Sequence, residues 1–163
     1  MTPARRVLVV EDGSEYVDGF ERLAAAHCLD AVFSRARDLE SARAALAAER
    51  PGAVFLDVVF DRTPEGSLAG DAESLVARFG GDRARAVRHL ATHQGFYILD
   101  ALAPMLTDMP VLLAYDFAVE PQRLEALRRR VPRLSGLEDG ASISRALEMM
   151  LTSSEQRPTP EKS

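Results

Sequence analysis

The sequence contains a single cysteine, a single lysine and no long apolar run. With Cys28 alone, the chain can form neither an internal disulfide nor a four-cysteine zinc site. No apolar run approaches the roughly 20 residues that span a bilayer, and the first strand-like run reaches acidic residues too soon for a signal peptide. Lys162 lies near the C-terminal end, which excludes mechanisms that need an internal lysine. The expected localisation is therefore cytoplasmic.

The chain also lacks an excess of positive charge. Its 163 residues include 20 basic and 25 acidic side chains, for a net charge of -5. Nucleic acids and anionic membranes require a basic face, so neither is an expected partner. With 47% hydrophobic and 28% charged residues, the composition is that of a globular domain with a substantial core.

Short apolar runs alternate with helical periodicities along the chain. The runs predict strands at Val7–Val10, Asp30–Phe33, Ala53–Leu56, Pro110–Ala114 and Leu134–Leu137. Periodicity and capping residues predict helices near 16–24, 38–49, 71–79, 82–90, 96–102, 121–130 and 141–151. This alternation predicts an α/β fold, with a doubly wound, open, parallel five-stranded sheet of the flavodoxin-like type.

One domain is expected to take up residues 1–152. Residues 153–163 contain two prolines and no apolar periodicity, and they are predicted to form a disordered tail. Residues 61–94 interrupt the alternation with a turn signal and two short helical patterns. We interpret them as a helical insertion between the third strand and the helix that follows it.

Acidic or polar residues follow three of the predicted strands. They are Glu11-Asp12, Asp57 and Tyr115-Asp116. The carboxyl ends of parallel strands meet at one edge of the sheet, where ligands collect. Clustered carboxylates repel one another unless a cation or proton shares the site. Oxygen donors of this kind suit Mg2+, which takes one or two carboxylates and otherwise keeps waters or phosphate oxygens.

Three segments resemble response regulator receiver domains of the two-component, CheY-like family. Residues 6–12 are similar to the first strand and acidic pair of that family, 54–57 to the strand with the phosphoacceptor aspartate, and 109–113 to the fourth strand. The separation of 45 residues between Asp12 and Asp57 also fits the family. The resemblance runs in order over roughly residues 5–151.

The resemblance implies a stand-alone, atypical receiver in phosphorelay signal transduction, a phosphoprotein rather than an enzyme. Asp57 would accept phosphoryl from a histidine kinase or phosphotransfer protein. Mg2+ would be held by Glu11, Asp12, Asp57 and the backbone carbonyl of Val59. Output would be protein-protein interaction with a downstream partner, and a homodimer is compatible with it. The alternative is a pseudo-receiver, a constitutive interaction module that is never phosphorylated.

Two departures from the family concern the cation and hydroxyl that contact the phosphoryl group. Tyr115 stands where the family has Ser or Thr. No lysine follows the last strand, and Arg62 or Arg133 is a candidate replacement, although a guanidinium is not equivalent to an ammonium. The 61–94 insertion is either a surface elaboration or a lid or docking element over the acidic residues, and the second interpretation is favoured.

Other chemistries fit the residues less well. His89 and His93 share a helix face but supply only half of a metal site, so we predict an ordinary solvated face. Phosphatases of the haloacid-dehalogenase type need a second acid two residues after the first, and Val59 stands there. Toprim nucleases carry an Asp-x-Asp pair, which the sequence lacks.

Overall fold

One parallel sheet forms the centre of the computed structural model, which describes residues 3–155. Its strands are β1 (Arg5–Val10), β2 (Ala31–Ala36), β3 (Ala53–Leu56), β4 (Val111–Leu113) and β5 (Leu134–Gly136). Their order is β2-β1-β3-β4-β5, and all neighbours are parallel. The predicted fold class is confirmed. The strand order reverses between β1 and β3, which opens a crevice at their carboxyl ends.

Helices cover both faces of the sheet. They are α1 (Glu15–Ala26), α2 (Leu39–Ala48), α3 (Ala72–Arg78), α4 (Arg83–Thr92), α5 (Gln94–Leu102), α6 (Pro121–Arg128) and α7 (Ile143–Glu155). Side chains of β1 alternate between two cores, as a strand buried on both faces requires. Val7 and Val9 pack with α1 and α7, whereas Leu8 and Val10 pack with α2 and α5.

Two predicted boundaries were wrong. The second strand extends to Ala36, because β2 pairs with β1 along its whole length, although polar Ser34 and Arg35 interrupt its apolar pattern. The predicted tail began at residue 153, but α7 continues to Glu155. The rest of that tail, residues 156–163, lies outside the described residues.

The 61–94 segment folds into α3 and α4 with an apolar cluster of its own. Leu75, Ala86 and Leu90 are buried there, against partly buried Phe79 and Tyr97. Helix α5, which follows, provides the crossover to β4 and buries Ile98, Leu99 and Leu102 in the main core. The segment therefore has a packed core rather than the character of an irregular loop.

Gln94 ties this segment to α5. Its side chain is 1% exposed. Its Oε1 accepts a hydrogen bond from the Ala69 N–H at 2.6 Å, and its Nε2 donates to the carbonyls of Ala69 at 3.1 Å and Leu90 at 3.2 Å. A buried amide that is satisfied at both ends holds two chain segments in a fixed relation.

Replacing Gln94→Glu should lower the free energy of unfolding by about 2 kcal/mol, because a carboxylate cannot donate to the Ala69 and Leu90 carbonyls. Urea unfolding followed by circular dichroism measures the change. Gln122→Glu, at an exposed position of α6, is the matched control and should leave the stability nearly unchanged. Equal effects of the two substitutions would contradict the role of Gln94.

Candidate functional site

The carboxyl ends of β1 and β3 bring three acidic residues to one rim of the sheet. Val10 and Leu56 are partners in the parallel register, so Glu11 and Asp57 follow neighbouring positions. The Asp57 N–H also donates to the Val10 carbonyl at 2.9 Å. We call Glu11, Asp12 and Asp57 the acidic pocket.

Glu11 serves as the cap of α1. Its carboxylate is buried and accepts hydrogen bonds from the N–H groups of Tyr16 at 3.2 Å and Val17 at 2.8 Å. Ser14, at the N-cap position, makes no side-chain capping bond, so Glu11 supplies the hydrogen-bond acceptor for the first N–H groups of the helix. Burial raises the pKa of Glu11, against the opposing effect of these two amides. Its part in metal binding stays a prediction.

Asp12 holds the beginning of the 61–94 segment. Its Oδ2 accepts from the backbone N–H of Arg62 at 2.7 Å and from the Thr63 hydroxyl at 3.5 Å. The Arg62 guanidinium donates to Glu15 at 2.6 Å rather than to the pocket acids. Arg62 therefore lies at the rim of the pocket, engaged with the first residue of α1.

Asp57 is half-buried, and its surroundings disfavour a charge. Its Oδ1 accepts from the Val58 N–H at 2.8 Å. Burial raises the pKa of Asp57 to about 6 despite that hydrogen bond, and repulsion from Glu11 and Asp12 adds to the rise. At neutral pH the carboxylate is mostly ionised, and a cation or a proton at this position would relieve the repulsion.

Helix α5 begins directly behind Asp57. The Gly95 N–H donates to the Val58 carbonyl at 3.0 Å. A Cβ atom at position 95 would stand only 2.3 Å from the Asp57 carbonyl oxygen, so only glycine allows this approach. This role of Gly95 was not predicted from the sequence, although a glycine in the first turn of a helix is a signal of close backbone approach.

The side chain of Tyr115 is engaged by residues outside the acidic pocket. The hydroxyl donates to Glu120, and this bond raises the pKa of Tyr115. The ring packs edge-on against Phe96 and Phe117, with centroids 5.0 Å apart in each pair. Tyr115 thus belongs to an aromatic cluster near the start of α6, and Glu120 accepts the hydrogen bond of its hydroxyl.

The residues at the ends of β4 and β5 complete the rim without a lysine. Leu137 follows β5 and donates its N–H to the Tyr115 carbonyl at 3.0 Å. Asp116 accepts from the N–H groups of Ala118 at 2.8 Å and Asp139 at 2.9 Å, which joins the loops after β4 and β5 and lowers its pKa. Asp116 therefore organises these two loops.

Arg133 does not replace the missing lysine, and that suggestion was wrong. Its carbonyl accepts from the Val111 N–H at the start of β4, so it lies at the opposite edge of the sheet. Its guanidinium donates to the carbonyls of Asp108 at 3.2 Å and Ser153 at 2.8 Å. Arg133 directly precedes β5 in the sequence, so it lies at the amino end of that strand, whereas the acidic pocket lies at the carboxyl ends of the strands.

The donor atoms at the acidic pocket are oxygens, which are the ligands that a hard cation such as Mg2+ prefers. Within residues 3–155, no three His, Cys, Asp or Glu side chains are grouped so that they could hold a metal by themselves. Mg2+ does not need three, because it takes one or two carboxylates and completes its shell with carbonyls and waters. The carboxylates of Asp12 and Asp57 and the carbonyl of Val59, a residue that is 46% exposed, are donors of this class.

The histidine pair does not form a solvated face, which corrects the prediction. His89 and His93 are half-buried and stacked, with ring centroids 4.2 Å apart, and His89 lies edge-on to Phe79 and Tyr97. Burial lowers the pKa of His89. The two rings extend the core of the 61–94 segment.

Solved receiver domains share this fold. The receiver domain of NtrX from Brucella abortus matches with a TM-score of 0.58 at 18% identity, over 92% of this chain and 98% of that one. The signal receiver domain of a histidine kinase from Syntrophus aciditrophicus gives 0.59 at 13% identity, over 98% of each chain. A CheY-like receiver domain protein from Methanospirillum hungatei gives 0.58 at 12% identity, over 94% and 96%.

The chain therefore has the fold of response regulator receiver domains, as the sequence motifs implied. No protein-family model matches the sequence, and no curated protein matches it significantly. In the described part of the chain, every helix is too short or too polar to cross a bilayer.

Replacing Asp57→Asn should stabilise the protein by about 1–3 kcal/mol at pH 7.5 in the presence of a chelator, because the folded state holds the Asp57 charge at a cost. The pKa of Asp57 is about 6 when folded and about 4 when unfolded. The unmodified protein should therefore lose stability relative to the variant as the pH rises from about 4 to 6. Thermal and urea unfolding across this range measure the difference.

Asp30→Asn, at an exposed position, is the control and should show no such gain. An Asp57→Asn variant that is no more stable than the unmodified protein at pH 7.5 would contradict the electrostatic description of the pocket.

Proposed function

We propose that the chain is a receiver that accepts a phosphoryl group on Asp57 with Mg2+ and signals through protein contacts. The observation that supports this most is the position of Asp57 at the end of the central strand β3, beside the acidic pair that follows β1. In a receiver fold, this places an ionised carboxylate at the crevice where the strand order reverses.

The reaction is a phosphoryl transfer between a partner and the aspartate. An oxygen of the Asp57 carboxylate attacks the phosphorus of a phosphohistidine on a histidine kinase or phosphotransfer protein. The new O–P bond forms as the P–N bond breaks, and the electron pair of that bond stays on the imidazole nitrogen. A pKa of about 6 leaves the carboxylate ionised at neutral pH and more basic than an ordinary aspartate.

The oxygen donors around Asp57 fit a divalent cation in this reaction. Asp12, Asp57 and the Val59 carbonyl would hold Mg2+, with Glu11 acting through water because its carboxylate already accepts two amides of α1. When bound, the ion offsets negative charge on the transferring group. The loop after β4 and the 61–94 segment flank the pocket, and they are the proposed contact surface for a downstream partner.

The second candidate function is that of a pseudo-receiver, a constitutive interaction module. Two observations favour it: the Tyr115 hydroxyl is engaged by Glu120, and Leu137 rather than a lysine follows β5. Such a module would keep the fold and the acidic pocket without any transfer to Asp57.

Incubation with acetyl phosphate and Mg2+, followed by intact mass measurement, separates the two candidates. The proposed function predicts that the protein gains one phosphoryl group, and that Asp57→Asn or a chelator abolishes the gain. Asp61→Asn, at an exposed neighbouring position, should leave the gain intact. A native protein that gains no mass would contradict the proposed function and support the pseudo-receiver.

A further inference from the structure

An ion pair lies at the mouth of the acidic pocket. Arg62 donates from its guanidinium to Glu15 at 2.6 Å and from its backbone N–H to Asp12 at 2.7 Å. The pair crosses directly over Gly13, because a Cβ there would stand 2.6 Å from the Arg62 Nη1 and 2.1 Å from a Glu15 oxygen. The backbone of Arg62 is thus fixed to a pocket acid, while its charged end is held beside the pocket.

Glu15 offers the guanidinium a preformed position. It is the first residue of α1, and its second carboxylate oxygen accepts from the Ser14 N–H at 3.0 Å. The side chains of Arg62 and Glu15 are 61% and 63% exposed, so water screens their attraction. An exposed pair of this kind contributes little to stability and is easily exchanged.

A phosphoryl group on Asp57 would demand a cation beyond Mg2+. A phosphorylated side chain carries a charge of about -2 at neutral pH, and Glu11 and Asp12 lie beside it with two more carboxylates. One divalent ion offsets only part of that charge. A guanidinium binds phosphoryl oxygens through paired hydrogen bonds, which are stronger than its bonds in a screened surface pair.

We infer that Arg62 is the residue that binds the phosphoryl group on Asp57, and that Glu15 holds its guanidinium in reserve until that group arrives. This inference rests on the proposed function. In this exchange only the side chain of Arg62 moves, because its backbone N–H stays bonded to Asp12. Glu15 keeps its hydrogen bond from the Ser14 N–H. Arg62 and Glu15 thereby set the affinity of the pocket for a phosphoryl group in opposite directions.

Beryllofluoride, a phosphoryl mimic, tests this by its binding affinity in the presence of Mg2+, measured by fluorine nuclear magnetic resonance. Arg62→Ala should weaken binding about tenfold, because a charge-assisted hydrogen bond is lost, and Arg62→Lys should restore part of it. Glu15→Gln should tighten binding several-fold, since the competing carboxylate is gone. In the double variant, Glu15→Gln should have no effect, because its action requires Arg62.

Two further arginines serve as comparisons. Arg37→Ala, an exposed arginine after β2, should bind as the unmodified protein does. The charge of Arg35 on β2 also acts on Glu11 and opposes the rise that burial causes in its pKa. If Arg35→Ala weakens beryllofluoride binding and Arg62→Ala does not, the assignment to Arg62 is overturned. Circular dichroism of each variant establishes that it is folded, and Glu15→Gln still tests the inference if Arg62→Ala does not fold.

The failures of the two proposals are distinguishable. If the unmodified protein gains no phosphoryl group from acetyl phosphate, the proposed function fails. If it gains the group and Arg62→Ala binds beryllofluoride as well as the unmodified protein does, or if Glu15→Gln acts without Arg62, the proposed function stands and the inference about Arg62 is wrong.

Discussion

Repulsion among carboxylates at the ends of β1 and β3 is the constraint to which the rest of the site responds. The register of these strands forces Glu11 and Asp57 to be neighbours. Two of the three acids accept hydrogen bonds from backbone N–H groups: Glu11 from the first turn of α1, and Asp12 from Arg62 at the beginning of the 61–94 segment. Asp57 accepts a hydrogen bond from its own backbone neighbour, and burial and repulsion still raise its pKa to about 6. A cation or a proton bound at the pocket would relieve this repulsion.

The surroundings of Asp57 link this pocket to the rest of the protein. Gly95 lets α5 approach the backbone of Asp57 and Val58, and the next residue, Phe96, packs against Tyr115. Arg123 on α6 stacks over Phe96 at 3.8 Å. A continuous series of contacts thus runs from the acidic pocket to the start of α6.

The sequence predicted those features that follow from local pattern. Val7–Val10 and Ala53–Leu56 read as strands because burial on both faces makes them continuously apolar, and their terminal acids then fall at one rim. Residues that act across long separations escaped prediction. Gln94 bonds to Ala69 and Arg62 to Glu15, and no periodicity reports such pairs. Arg133 was misassigned because proximity in sequence to β5 does not say at which end of the strand a side chain lies.

A crystal structure of the protein with Mg2+ and beryllofluoride is the most direct test of the central claim, that the acidic pocket is a phosphoryl-accepting site. We expect the beryllofluoride on a carboxylate oxygen of Asp57, with the metal ion contacting Asp12 and the Val59 carbonyl. An Asp57 carboxylate free of both, with Mg2+ and beryllofluoride in large excess over the protein, would contradict it.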